Sequence, residues 1–86
     1  MVDRNNTNIV FDRCIKIIED LHFEPCEDLD HPFSLSHLLW MAYKAKSEEF
    51  SIDKQHRWLG YIQGCLVCMG IITVEEERNF TRPLFS

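Results

Sequence analysis

Cys65 and Cys68 stand at the C-x-x-C spacing with which a pair of thiolates can grip a zinc ion. A tetrahedral site would need further ligands, and Cys14, Cys26, His22, His31 and His37 are the candidates. Structural zinc pairs usually sit on turns and come with a second pair. This pair lies inside a strongly apolar helical pattern and has no second pair at matching spacing. Cys14 and Cys65 therefore read as small core residues. The expectation is reduced thiols, no metal and no cofactor. A thioredoxin-like use of the motif would need a βαβ pattern ahead of it, and none is present.

His22, His31, His37 and His56 lack a Ser or Cys nucleophile and a carboxylate at a recognisable spacing, so they read as helix-terminal and surface histidines. Glu75, Glu76 and Glu77 are consecutive and must point in different directions on a helix, which suits a solvated helix start rather than a paired acid and base. No catalytic residue is expected, and the chain does not read as an enzyme. The remaining chemistry is cationic. Lys54, Arg57 and Trp58 open one helical pattern, and Arg78 and Arg82 lie near the other end. A guanidinium suits bidentate contact with a carboxylate or phosphate, and a helix N-terminus favours anions. These five residues are the candidate contacts for a ligand or partner. The competing reading puts Trp58 in the core and pairs the arginines with the many acids.

Eighty-six residues fit one domain, 1–86, and its stability is thin at that length. Apolar residues at 45% are ample for a core. Nine Lys and Arg against fourteen Asp and Glu leave a net charge of −5, which argues against a nucleic-acid partner. The longest uncharged stretch, 58–74, is seventeen residues. It falls short of the roughly 20 needed to span a bilayer, so no membrane partner is expected. A polar N-terminus without an apolar leader and four cysteines point to a reduced, intracellular setting.

Hydrophobic spacing predicts an all-α fold, a small bundle built on an antiparallel helical hairpin over about 35–49 and 52–69. An N-terminal helix over about 7–21 carries Val10, Cys14, Ile17, Ile18 and Leu21 on one stripe, with Phe11 and Ile15 widening it. The acidic segment 23–33, with Pro25 and Pro32, reads as a solvated connector or a binding loop. Ser34 caps the second helix, with Phe33 and Leu38 placed as a hydrophobic staple. The run 38–43 has no polar side, so Trp40, Met41 and Tyr43 are candidate packing or interface residues, with a second copy as a possible cover.

Ser51 caps the third helix, whose stripe is Trp58, Leu59, Ile62, Cys65, Leu66 and Met69. Gly60, Gly64 and Cys68 form a small-residue line on another face. Each glycine costs about 1 kcal/mol relative to Ala inside a helix, which predicts close approach of another backbone at Gly60 and Gly64. Gly70 ends the helix. Thr73-x-x-Glu76 is a capping box for a short final helix over about 74–79, which Pro83 stops. Residues 1–6 and 82–86 are expected as peripheral tails.

The run Asp53-Lys54-Gln55-His56-Arg57-Trp58-Leu59-Gly60-Tyr61-Ile62-Gln63-Gly64 resembles a recurring segment of small uncharacterised proteins of tailed bacteriophages. The resemblance continues through Gly70, Val74, Glu76-Glu77-Arg78 and Thr81-Arg82-Pro83-Leu84-Phe85, with Ser36-His37-Leu38-Leu39-Trp40-Met41 upstream. It covers about residues 36–85 and implies a phage origin and an intracellular accessory role. Arg57-Trp58-Leu59 is also similar to the opening of the second hairpin helix in phage proteins that sequester cyclic-nucleotide immune signals. The stretch holding Gly60 and Gly64 departs from that pattern.

The expected function is stoichiometric binding of a host or phage protein in the host cell cytoplasm, inhibiting or redirecting a target such as a defence system. The chain is expected to be a homo-oligomer. The alternatives are an oligomeric sponge for an anionic nucleotide signal and a small metal-binding or enzymatic protein.

Overall fold

In the computed structural model, which describes residues 4–47 and 50–85, the chain is all-α. Four helices form among the described residues: α1 (Arg4–Glu19), α2 (Leu35–Ala45), α3 (Ile52–Cys68) and α4 (Val74–Phe85). Their ends follow local chemistry. The Ser34 and Ser51 hydroxyls accept from the backbone N–H of His37 and Lys54, each at 3.2 Å. The Thr73 hydroxyl accepts from the Glu76 N–H while the Glu76 carboxylate accepts from the Thr73 N–H, which closes the capping box. Gly70 sits at φ 74, and the N–H groups of Gly70 and Ile71 donate to Val67 and Leu66. That double bond pattern needs a left-handed residue, which glycine supplies without a Cβ penalty.

The core lies between α1, α2 and α3. Val10, Phe11, Cys14 and Ile18 meet Leu38, Leu39, Ala42 and Ala45 on one side and Leu59, Ile62 and Leu66 on the other. Phe50 and Ile72 close its ends. Ala45 meets Gln55 and Trp40 meets Trp58, so α2 and α3 run in opposite directions, as a hairpin. The all-apolar run of α2 is covered within the chain: Leu38, Leu39, Met41 and Ala42 are buried, and Trp40 is half-buried. Only Tyr43 is exposed, and its hydroxyl donates to Glu19.

Several expectations are corrected. Helix α1 spans Arg4–Glu19, so it starts ahead of the expected position 7. It ends at Glu19, with His22 in the left-handed region at φ 68, and Leu21 is 43% exposed. Met69, at 40% exposed, likewise leaves the core stripe of α3. Helix α2 stops at Ala45, four residues short of the expected end, and residues 48 and 49 lie outside the described residues.

Pro83 does not stop α4, which runs on to Phe85. A proline one turn from a helix end forfeits one hydrogen bond, to an Asn79 carbonyl on an exposed residue that water can reach. Docking of Phe80, Leu84 and Phe85 on the core offsets that loss. Residues 82–85 are thus no tail. Nor are 4–6, because Arg4 donates to the Phe50 carbonyl at 2.7 Å and Asn6 to the Leu84 carbonyl at 2.8 Å. Residues 1–3 and 86 lie outside the described residues.

Candidate functional site

Helix α4 is strapped to α1, and that choice creates the site. Its anchors are Arg13 on Glu77, Asn6 on the Leu84 carbonyl, and the Arg13 guanidinium over the Phe80 ring at 4.7 Å. Between α4 and α3 a groove stays open. One end, of about 350 Å³, is lined by Gln63, Gly64, Val67, Val74, Glu77, Arg78 and Thr81, with Glu77 already held by Arg13. The other, of about 310 Å³, is lined by His56, Leu59, Gly60, Gln63, Thr81 and Phe85. Gln63 and Thr81 belong to both ends, so the groove is continuous along the helix pair.

A second groove, of about 400 Å³, runs on the other side of the same glycines and is almost wholly apolar. Phe33, Tyr61, Cys65, Cys68 and Met69 line it. Gly60 and Gly64 are therefore the low crest between two grooves. A Cβ built on either would meet nothing within 4 Å. The expected close approach of another backbone is not made by any described element, because α2 packs on the opposite, buried stripe of α3. Phe33 stays 61% exposed along this groove wall.

The structure separates the five candidate cationic and aromatic contacts. Trp58 sits half-buried against the core, edge-on to Phe50 at 4.6 Å and tilted to Trp40 at 6.3 Å. Lys54 lies over the Phe50 ring at 4.3 Å and over Trp58 at 5.6 Å, so its charge is held on the α2 side. Of the three arginines, Arg78 lines the α3–α4 groove, and helical register puts Arg57 and Arg82 near it. Arg57 is one turn ahead of Gly60 on the glycine line, and Arg82 follows Arg78 by one turn. None of the three has an acid partner among the described residues. The acids engaged there are Glu77 by Arg13, Asp20 by Lys16, Asp12 by Lys46 and Asp28 by His31. His56 also lines the groove, with its ring edge-on to Phe85 at 5.7 Å. Its Nε2 is buried without a hydrogen-bond partner among the described residues.

The thiols and imidazoles are dispersed. Cys14 is buried, Cys65 half-buried, and Cys26 and Cys68 exposed, all as free thiols. Burial first, and the Glu77 charge second, push the Cys14 thiol up to about 12 against the opposing pull of Arg13. Desolvation and then a hydrogen bond with Cys65 raise the Tyr61 phenol. No three His, Cys, Asp or Glu side chains converge on a metal position among the described residues. His37 stacks on Trp40, and its Nδ1 accepts from the Asp28 N–H at 2.9 Å, which ties the acidic segment to α2. No described helix is long and apolar enough to cross a membrane.

The hydrogen-bond hub that aligns α3 is Gln55, which the motif reading passed over. It is fully buried, its Nε2 donates to the Ala45 carbonyl at 2.6 Å, and its Oε1 accepts from the Thr7 hydroxyl at 3.1 Å. Its spacing holds the clue: 55, 59, 62 and 66 fall on one stripe, so Gln55 extends the apolar line of Leu59, Ile62 and Leu66.

The class defined is a small all-α bundle with an exposed glycine crest and, beside it, Arg78 without an acid partner among the described residues. Comparison with protein-family models, with curated proteins and with solved structures gives no match.

Proposed function

We propose that the chain acts by stoichiometric binding of another protein, not by catalysis, and that the crest of α3 is its contact surface. The observation that carries this reading is the empty space over Gly60 and Gly64. Two interior glycines weaken α3 by about 1 kcal/mol each, and nothing among the described residues uses the room they leave. A partner that packs close to the α3 backbone does use it. The apolar wall of Phe33, Tyr61 and Met69 adds surface of the kind buried at protein interfaces. The resemblance to small tailed-phage proteins supports a phage-encoded accessory role in the host cytoplasm, with a host protein such as a defence component as the target.

The test is affinity purification of the tagged chain from host cells, followed by native mass spectrometry of the intact complexes. The expected result is one polypeptide retained at a fixed ratio and lost from a folded Gly64→Leu variant. A retained nucleotide without protein would replace this reading with the sponge. Retention unaffected by Gly64→Leu, or no retained polypeptide at all, would remove it.

A further inference from the structure

Resting on that docking surface, we infer that the segment it receives is an acidic amphipathic helix of the partner, laid along the crest of α3 with its carboxylates on Arg57, Arg78 and Arg82. Three independent features fix the chemistry of the occupant. The low crest is Gly60 and Gly64, with open space where side chains would stand, so small facing residues on the occupant let its backbone come close. Two helices otherwise pack with axes about 8–10 Å apart, set by the side chains between them. One wall is apolar, with Phe33 and Met69 exposed along it, so that flank of the occupant must be apolar. The other wall is α4, which presents Arg78, Thr81 and a Glu77 carboxylate already neutralised by Arg13, with Arg82 one turn beyond Arg78 in sequence. Arg57 stands on the crest line itself.

The charge pattern is local and runs against the whole. The chain carries a net −5, yet the arginines beside this groove have no acid partner among the described residues. Arg4, Arg13, Lys16 and Lys46 are each committed to a carbonyl or a carboxylate, and Lys54 to aromatic rings. A guanidinium makes forked hydrogen bonds to a carboxylate, so unpaired arginines at a groove favour Glu or Asp on what fills it. Asp53 at the start of α3 and Glu75 and Glu76 at the start of α4 are the exposed acids nearest along the two helices, and Glu76 accepts from the Thr73 N–H. They flank the arginines in sequence without pairing with them. Helix is the form of occupant that fits, because a straight ridge between two walls accepts an amphipathic helix by its small face, one flank and the other.

A display library of helix-forming peptides, selected against the full chain, tests this. The expected winners carry small residues at helical spacing on one face, apolar residues on one flank and Glu or Asp on the other. A selected peptide should lose detectable binding to Gly64→Leu. It should bind roughly tenfold more weakly to Arg78→Glu and to Arg82→Glu. It should bind Lys44→Glu as it binds the parent, since Lys44 is exposed on α2, away from the groove. Melting curves confirm that each variant is folded. Winners that need Gly64 but show no acidic bias would overturn the acidic-helix inference and leave the docking surface standing. Enrichment equal on the parent and on Gly64→Leu would overturn both. A dimer of the chain alone that Gly64→Leu disperses would make the occupant a second copy, and would overturn the inference as stated.

Discussion

Arg13 Nη1 donates to both carboxylate oxygens of Glu77, at 2.5 and 2.6 Å, across sixty-four positions of sequence. This contact fixes which helix α4 leans on. Glu77 is the buried member, with its side chain 9% exposed against 22% for Arg13. Because α4 is held to α1, it stands off α3, and the groove beside Gly64 stays open.

Removing Arg13 should therefore be costly. Arg13→Ala leaves a buried carboxylate without its partner, and a loss of about 2–4 kcal/mol is expected in urea unfolding. The pair Arg13→Met with Glu77→Leu should lose much less, because both charges go together. A double variant as unstable as Arg13→Ala would show that the contact does more than neutralise Glu77.

Gln55 joins three helices. Gln55→Leu keeps the volume but removes the buried amide that serves the Ala45 carbonyl and, beside the Arg4 carbonyl, the Thr7 hydroxyl. A loss of about 2 kcal/mol is expected from chemical denaturation. Thr7→Val, which removes only the hydroxyl, should cost about half as much. Unchanged stability in Gln55→Leu would mean that both groups find other partners.

What could be read along the chain was what is settled within a turn or two. Ser34, Ser51, the Thr73–Glu76 box and Gly70 all cap helices as their spacing indicates, because each cap closes over three or four residues. The long-range ties were not legible. Nothing near Arg13 points to Glu77, or near Asn6 to the Leu84 carbonyl, and these two contacts carry α4 past Pro83. The line of Gly60 and Gly64 was visible, but that it would stay uncovered depended on α4 docking on α1 rather than on α3. Within the candidate contacts, Arg78 lines the groove, while Lys54 and Trp58 pack with Phe50.

Cys14 should behave unlike the exposed thiols. Its pKa is raised from the ordinary 9.0 to about 12, chiefly by burial, so the thiol form is the one folding favours. The stabilising contribution is present below pH about 9 and is lost as pH rises through about 12, at no more than roughly 1.4 kcal/mol per pH unit. Alkaline unfolding of Cys14→Ala should accordingly be less steep than that of the parent over that window. At neutral pH, iodoacetamide should label Cys26 and Cys68 quickly and spare Cys14 until the protein unfolds. Equal labelling of all four thiols under native conditions would contradict the buried placement.

The glycines give the test that joins stability to function. Gly60 and Gly64 lie inside α3, where alanine is better than glycine by about 1 kcal/mol. A methyl group at either position meets nothing within 4 Å, so no clash opposes that gain. Gly60→Ala and Gly64→Ala should each stabilise the free chain by about 1 kcal/mol, which is roughly 4–8 °C in melting temperature for a domain of this size. The same substitutions should weaken partner binding, because the added methyl stands where the partner backbone approaches, and Gly64→Leu should weaken it further while leaving the chain folded. Stability and binding then move in opposite directions at the same two positions, which a merely solvated helix face would not produce. Lower melting temperatures for both alanine variants would instead mean that the crest of α3 is already covered in the free protein.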